Sequence, residues 1–407
     1  MPFELLIAVT GICIKLNYTC KIPTKCLQNY GIVNLFSNSE NFYLICGKIK
    51  NRLMSVISGI QQIGIGCADV DEAWRWYHKF FGMDIPIFND EGIAQLMLPY
   101  TGGKSEARRA VLAINIQGGG GFEIWQYTQR TPQASENKIL LGDTGIYAAK
   151  VKCKDAQKTF AFFVENEADV LCESVIKAPH GEKYFWVRDP FGNTFQVIES
   201  TNFFTKNKAL TGGVYGAIIG TTHIDRMTQF FQEALGYDKV VYNKTDIFQD
   251  FAPLDGGENV FARVLLRHSE LNTGAFAPLL GVSEIELVQV FERTPNKIFA
   301  HRQWGDLGFI HLCYDVKNMA LTQTLCTQQG FEFTVDTANS FDMGEAAGRF
   351  AYIEDPDGTL IEFVETHKIP IMKKYGWYLD LQKRSPEKPL ATFILKALAL
   401  GRVKPIN

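Results

Sequence analysis

The chain is written twice. FEIWQYTQRTP at residues 122–132 returns as IELVQVFERTP at 285–295, and LGDTGIYAAKVKCKD (141–155) returns as WGDLGFIHLCYDVKN (304–318), both displaced by 163 positions. VRDPFGNTFQVIES (187–200) answers IEDPDGTLIEFVET (353–366), and DEAWRWYHKFFGMD (71–84) answers DRMTQFFQEALGYD (225–238). Self-similarity at a fixed spacing constrains a fold more tightly than local propensity does, because both copies must adopt one layout. Each copy also halves again. A strand pattern at 61–69 leads into a helix whose Trp76, Tyr77, Phe80 and Phe81 form one apolar stripe, with Gly82 able to supply a left-handed cap. The second quarter starts afresh with a strand over 146–152 and a helix over 155–165. It closes on Asp-Pro-x-Gly, where Pro190 presets a turn and Gly192 relaxes its exit into the last strand; Pro356 and Gly358 repeat the device. Four strand–helix–strand–strand–strand modules follow, over roughly 58–130, 143–200, 212–293 and 305–366.

Around this body the charge is uneven. Residues 1–53 carry six Lys/Arg against two Glu, and residues 368–407 carry nine against Asp380 and Glu387. The total of 41 basic and 44 acidic residues therefore leaves 26 against 40, or −14, for the body, which has no nucleic-acid footprint. Nine cysteines without a CxxC pair suit a reducing cytoplasm better than a disulfide framework. No run of about 18 apolar residues marks a membrane span. The expected division is an extension over 1–53, with Met54 as the biological start, repeat domains over 54–205 and 206–367, and a basic tail over 368–407. The tail's short apolar run, FILKALAL, is expected to pack on the body.

The four-fold module, the FFG and ALG helix ends and the two DPxG hairpins resemble the vicinal oxygen chelate superfamily, the group of glyoxalases, bleomycin-resistance proteins and extradiol dioxygenases. The resemblance covers residues 58–366. It implies an α+β fold in which βαβββ modules pair into two open half-barrels around divalent metal sites. Each module can offer one ligand from its first strand and one from its last. On this chain the first-strand positions are Gln62, Ala148, Gly216 and His311, and the last-strand positions are Glu123, Gln196, Glu286 and Glu362. Imidazole nitrogen with carboxylate oxygen suits a hard or borderline ion, with Zn, Ni, Fe and Mn all open. Glu123, Glu286 and Glu362 are each written between apolar neighbours, where an acid is costly unless a cation offsets it. Taken alone, His311 would be an ordinary core histidine; the registered acids make it a candidate ligand.

Two pairings are open. Modules 3 and 4 would assemble Gly216, Glu286, His311 and Glu362; modules 1 and 4 would assemble Gln62, Glu123, His311 and Glu362. Sequential neighbours usually meet, so the 3–4 pairing is expected. The resemblance implies a metal-dependent lyase or isomerase acting on a small α-oxo substrate or adduct through an enediolate. Glu362 is the expected base, with Glu286 or Glu123 second. The alternatives are a non-catalytic small-molecule-binding protein and, less favoured for want of a second histidine, an extradiol dioxygenase. Four modules can complete their own pairings as a monomer, and a homodimer is also open. The Gly-punctuated FDMGEAAGRF (341–350) reads as a barrel-mouth loop.

Overall fold

The fold is described from a computed structural model, covering residues 56–338, 341–343, 346–372 and 377–404. The extension over 1–53 and its proposed boundary at Met54 lie outside these residues.

Module 1 contains β1 (Val56–Gly66), α1 (Val70–Phe81), β2 (Ile85–Ile93), β3 (Ala107–Ile114) and β4 (Gly121–Tyr127). Module 2 contains β5 (Gly145–Cys153), α2 (Ala156–Glu165), the two-residue β6 (Asp169–Val170) and β7 (Ile176–Lys177), β8 (Lys183–Arg188) and β9 (Thr194–Glu199). Module 3 contains β10 (Thr211–Gly220), α3 (Ile224–Leu235), β11 (Lys239–Asp246), β12 (Phe261–Arg267), a helical turn α4 (Ala277–Leu280) and β13 (Glu284–Val290). Module 4 contains β14 (Gly308–Lys317), α5 (Met319–Gln328), β15 (Val335–Asp336), β16 (Phe341–Met343), β17 (Ala346–Glu354) and β18 (Leu360–Met372). The tail adds β19 (Trp377–Asp380) and α6 (Thr392–Ala397). Within FDMGEAAGRF, β16 pairs antiparallel with β17.

The local signals act as their chemistry requires. Asp69 caps α1 by accepting from the Asp71 and Glu72 amides at 2.9 and 3.0 Å, and Gly82 ends it at φ 62°. The tryptophan that α1 buries is Trp74; Trp76 is only partly covered, which corrects the expected stripe at that residue. Asp189 and Asp355 each fold the DPxG turn back by accepting from amides two and four residues on, with Gly192 and Gly358 at φ 90° and 83°. These turns fix the register of β9 and β18, and hence which way Gln196 and Glu362 point.

The pairing differs from the expectation. One sheet runs β15-β17-β18-β14-β1-β4-β3-β2 and the other β11-β12-β13-β10-β5-β9-β8-β6. Module 1 therefore joins module 4, and module 2 joins module 3, through antiparallel β1–β14 and β5–β10 seams. The physical reason is in the repeated motifs themselves. Arg130 of the first Arg-Thr-Pro pairs with Asp306 of the Trp-Gly-Asp that opens module 4, and the Gln133 amide donates to the same carboxylate at 2.8 Å. Arg293 of the second pairs with Asp143, which opens module 2, at 2.5 Å, and Asn296 N donates to it at 2.9 Å. Gly66 and Gly220 admit this crossing: a Cβ on either would lie 1.9 Å from the carbonyl oxygen of Asp306 or Asp143. Arginine and acid thus clasp modules far apart in sequence.

The outer faces of both sheets and the helices share one apolar core, in which Phe81, Phe122, Phe163, Phe195 and Phe309 lie together. Because side chains alternate along a strand, that arrangement sends the intervening polar positions to the inner faces.

Candidate metal centre

In the module 1–4 sheet, Gly64 of β1 faces His311 of β14 on one side and Glu123 of β4 on the other. Cys313 of β14 faces Gln62 of β1 and Glu362 of β18. Successive same-face positions across four strands therefore carry Gln62, Glu123, His311 and Glu362 to one place. His311 Nε2 lies 3.1 Å from Glu362 Oε2 and 3.3 Å from Glu123 Oε2. Gln62 Nε2 donates to Glu123 Oε2 at 3.1 Å and to Glu362 Oε2 at 3.4 Å. His311 is fully buried, and both acids keep only a small exposed fraction.

The polar atoms are close without being matched. Neither approach to His311 Nε2 is aligned as a hydrogen bond, and His311 Nδ1 and Gln62 Oε1 are also buried without a partner. Burial opposes a charged imidazole, but the Glu362 and Glu123 carboxylates outweigh it and hold His311 up at about 9 in the metal-free protein. Two acids against one imidazolium leave a buried excess of negative charge. A divalent ion fits this set. Ligand bonds of about 2.0–2.2 Å to a common centre separate neighbouring donors by roughly 3 Å, the spacing seen here. A half-turn of the Gln62 amide would exchange Nε2 for Oε1, adding a fourth donor. Glu123, His311 and Glu362 all place a donor atom within 4.8 Å of one another.

The wall around the imidazole was not anticipated from the sequence. A Cβ at Gly64 would lie 2.4 Å from His311 Cε1, so only glycine lets the ring lie across β1. Trp304 is parallel to the imidazole at 6.2 Å between centroids, and Tyr352 meets it edge-on at 5.6 Å. Trp125 packs against Trp304 at 4.5 Å, and Tyr127 donates to the Trp304 carbonyl. Trp304 belongs to the repeated xGD motif, where its contrast with Leu141 of the other copy was the available signal.

Glu286 is not brought to this group. It sits on β13 in the other sheet, where Lys150 Nζ lies 2.5 Å from it and 2.6 Å from Glu284. Arg263 pairs with Glu286 and also holds Asp250 at 2.7 Å, and Tyr242 OH donates to Glu286 at 2.6 Å. These cations drive the Glu286 carboxyl far below the ordinary carboxylate range despite its burial. Ala148 and Gly216 stand at the ligand positions and offer no donor atoms. Gln196 is buried with both amide atoms unpartnered. A second group of possible ligands, His180, Glu182 and Glu284, already surrounds the Arg267 guanidinium.

Paired modules on two curled sheets, with ligand positions at the seam, have clear counterparts among solved structures. A candidate dioxygenase from Bacillus subtilis aligns over 86% of this chain and 97% of its own, with a TM-score of 0.51 and 14% identity. This is the vicinal oxygen chelate fold. A glyoxalase I variant from Zea mays aligns over 78% of this chain and 96% of its own, with a TM-score of 0.50 and 11% identity. No family model and no curated protein matches the sequence. The shared fold is therefore met at low sequence identity. Among the described residues, five cysteines are buried and unpaired, and no helix is long and apolar enough to cross a membrane.

Proposed function

We propose that the module 1–4 half-barrel is a divalent-metal site of glyoxalase type, serving lyase or isomerase chemistry on a small α-oxo substrate or adduct. The observation that carries this reading is the convergence of His311, Glu123, Glu362 and Gln62, with donor atoms close together and several of them unpartnered. Bound there, a divalent ion supplies a Lewis acid for vicinal oxygens and stabilises an enediolate. His311, on giving up the proton that its two acidic neighbours otherwise hold on it, would anchor that charge. Gln62 and Glu123 complete the set.

Glu362 is the proposed base, its Oε2 taking the proton from the carbon beside the carbonyl and returning it to the neighbouring carbon. Glu123, facing it across the imidazole, balances the charge while the proton is held. The aromatic wall of Trp125, Trp304 and Tyr352 limits water beside the reacting carbons. One histidine rather than two weighs against the facial triad of ring-cleaving dioxygenases. Buried unpaired cysteines accord with a reducing, cytoplasmic setting.

The test is elemental analysis of wild type beside His311→Ala and Glu362→Gln, with turnover of small α-oxo aldehydes, alone and with a thiol. The reading expects about one metal per chain in wild type and little in His311→Ala. Glu362→Gln should lose turnover by about 10²–10⁴-fold. A metal-free wild type that keeps full ligand binding after His311→Ala would instead identify a binding module.

A further inference from the structure

The basic tail packs on the body by one face only. Leu381, Leu390 and Leu395 enter a small apolar cluster with Ile85, Ile114 and Leu279. The Leu390 amide donates to the Ala275 carbonyl at 2.9 Å, the Val403 amide donates to the Asp84 carbonyl at 2.9 Å, and Arg402 pairs with Asp84 at 2.8 Å. The segment is thus fastened at both ends. Its other face is not packed and mixes apolar with basic side chains. Phe393 is 74% exposed and Leu400 is 89% exposed, with Lys396 and Lys404 also exposed. The helix Thr392–Ala397 carries Phe393 and Lys396 three residues apart on one side, and it continues directly into a tighter turn over Leu398–Gly401 that carries Leu400. Ile87, on the strand whose start receives the tail, is 43% exposed.

Docking on the body needs only the leucine face, and leaves two large apolar side chains in water without an intramolecular reason. Their setting selects the partner. Residues 368–407 carry nine basic against two acidic residues, whereas the body carries −14. We propose that this face seats the protein on an anionic lipid surface, Phe393 and Leu400 entering the headgroup boundary while Lys396 and Lys404 meet lipid phosphates and carboxylates. Apolar insertion and basic attraction are each weak alone and act together at such a surface. The acidic body is repelled by it, which orients the chain tail-down.

The test is co-sedimentation of the full chain with vesicles of phosphatidylcholine alone or with about 30% phosphatidylserine, at low salt and at about 0.5 M salt. Wild type should sediment with the anionic vesicles only, and high salt should release it. Phe393→Ser/Leu400→Ser should bind about tenfold less at unchanged circular dichroism, its substituted positions being exposed. Failure to bind anionic vesicles at low salt overturns the proposal, as does equal binding to neutral vesicles or full binding by the double variant. A wild-type dimer in light scattering that the double variant disperses assigns the face to a second copy instead, and also overturns it.

Discussion

The two half-barrels place an acid at the same position and neutralise it differently. In module 1 the last-strand acid is Glu123, and in module 3 it is Glu286. Glu286 is enclosed by Lys150 and Arg263, which are supplied by the chain and buried with it. Glu123 has Glu362 beside it, with the His311 imidazole and the uncharged Gln62 amide between them. One barrel is electrostatically finished by its own sequence; in the other, the proposed function leaves that task to an ion from solution. The comparison teaches that a shared fold can keep an acid at one position and give it covalently attached cations in one copy and none in the other.

That contrast can be broken most decisively by metal content. His311→Ala should abolish stoichiometric metal and lower any metal-dependent turnover by about 10³-fold or more, whereas Glu286→Gln should leave metal content unchanged. Equal metal loss in the two variants would erase the distinction. Next, Lys150→Met removes the buried cation that Glu284 and Glu286 share, leaving them Arg267 and Arg263 alone, and should cost about 3–5 kcal/mol in denaturant unfolding, again with metal content preserved. A midpoint within error of wild type would show that the network is dispensable.

The barrels should also respond oppositely to pH. In the metal-free protein His311 is raised from an ordinary 6.5 to about 9, so its contribution is fully present below 6.5 and is lost as pH rises toward 9. Glu286 is depressed below its ordinary 4.5, so its contribution is present above that value and is lost as pH falls through the acid range. Each is worth at most about 3 kcal/mol in a buried pair. Chelated wild type should lose stability on the alkaline side, and His311→Gln should not; unfolding curves across pH check both arms. The smallest effect concerns the imidazole's bed. Gly64→Ala should weaken metal binding by about tenfold in titration calorimetry while leaving the second barrel's acid stability intact.

Much of this was legible because it is local. The DPxG turns, the Asp69 cap and the Gly82 end are short-range chemistry, and the alternation of acid with apolar residue around Glu123, His311 and Glu362 shows that these side chains face away from the apolar core. Lys150 within YAAKVKC and Arg263 within FARVLLR carried the same signal, charges in strands that read as core, and their meaning as built-in counter-ions escaped because their partners lie 134–136 and 23 positions away. Gly64 gave no sign at all, since a glycine in a strand declares only that something approaches it.

The sequence by itself determined four modules, their turns, and the face on which each candidate ligand lies. Only the tertiary structure decided that module 1 meets module 4. Strand edges present the same backbone donors and acceptors whatever their sequence, so they cannot choose a partner; the choice falls to the crossed Arg130–Asp306 and Arg293–Asp143 clasps and to the glycines that let them close.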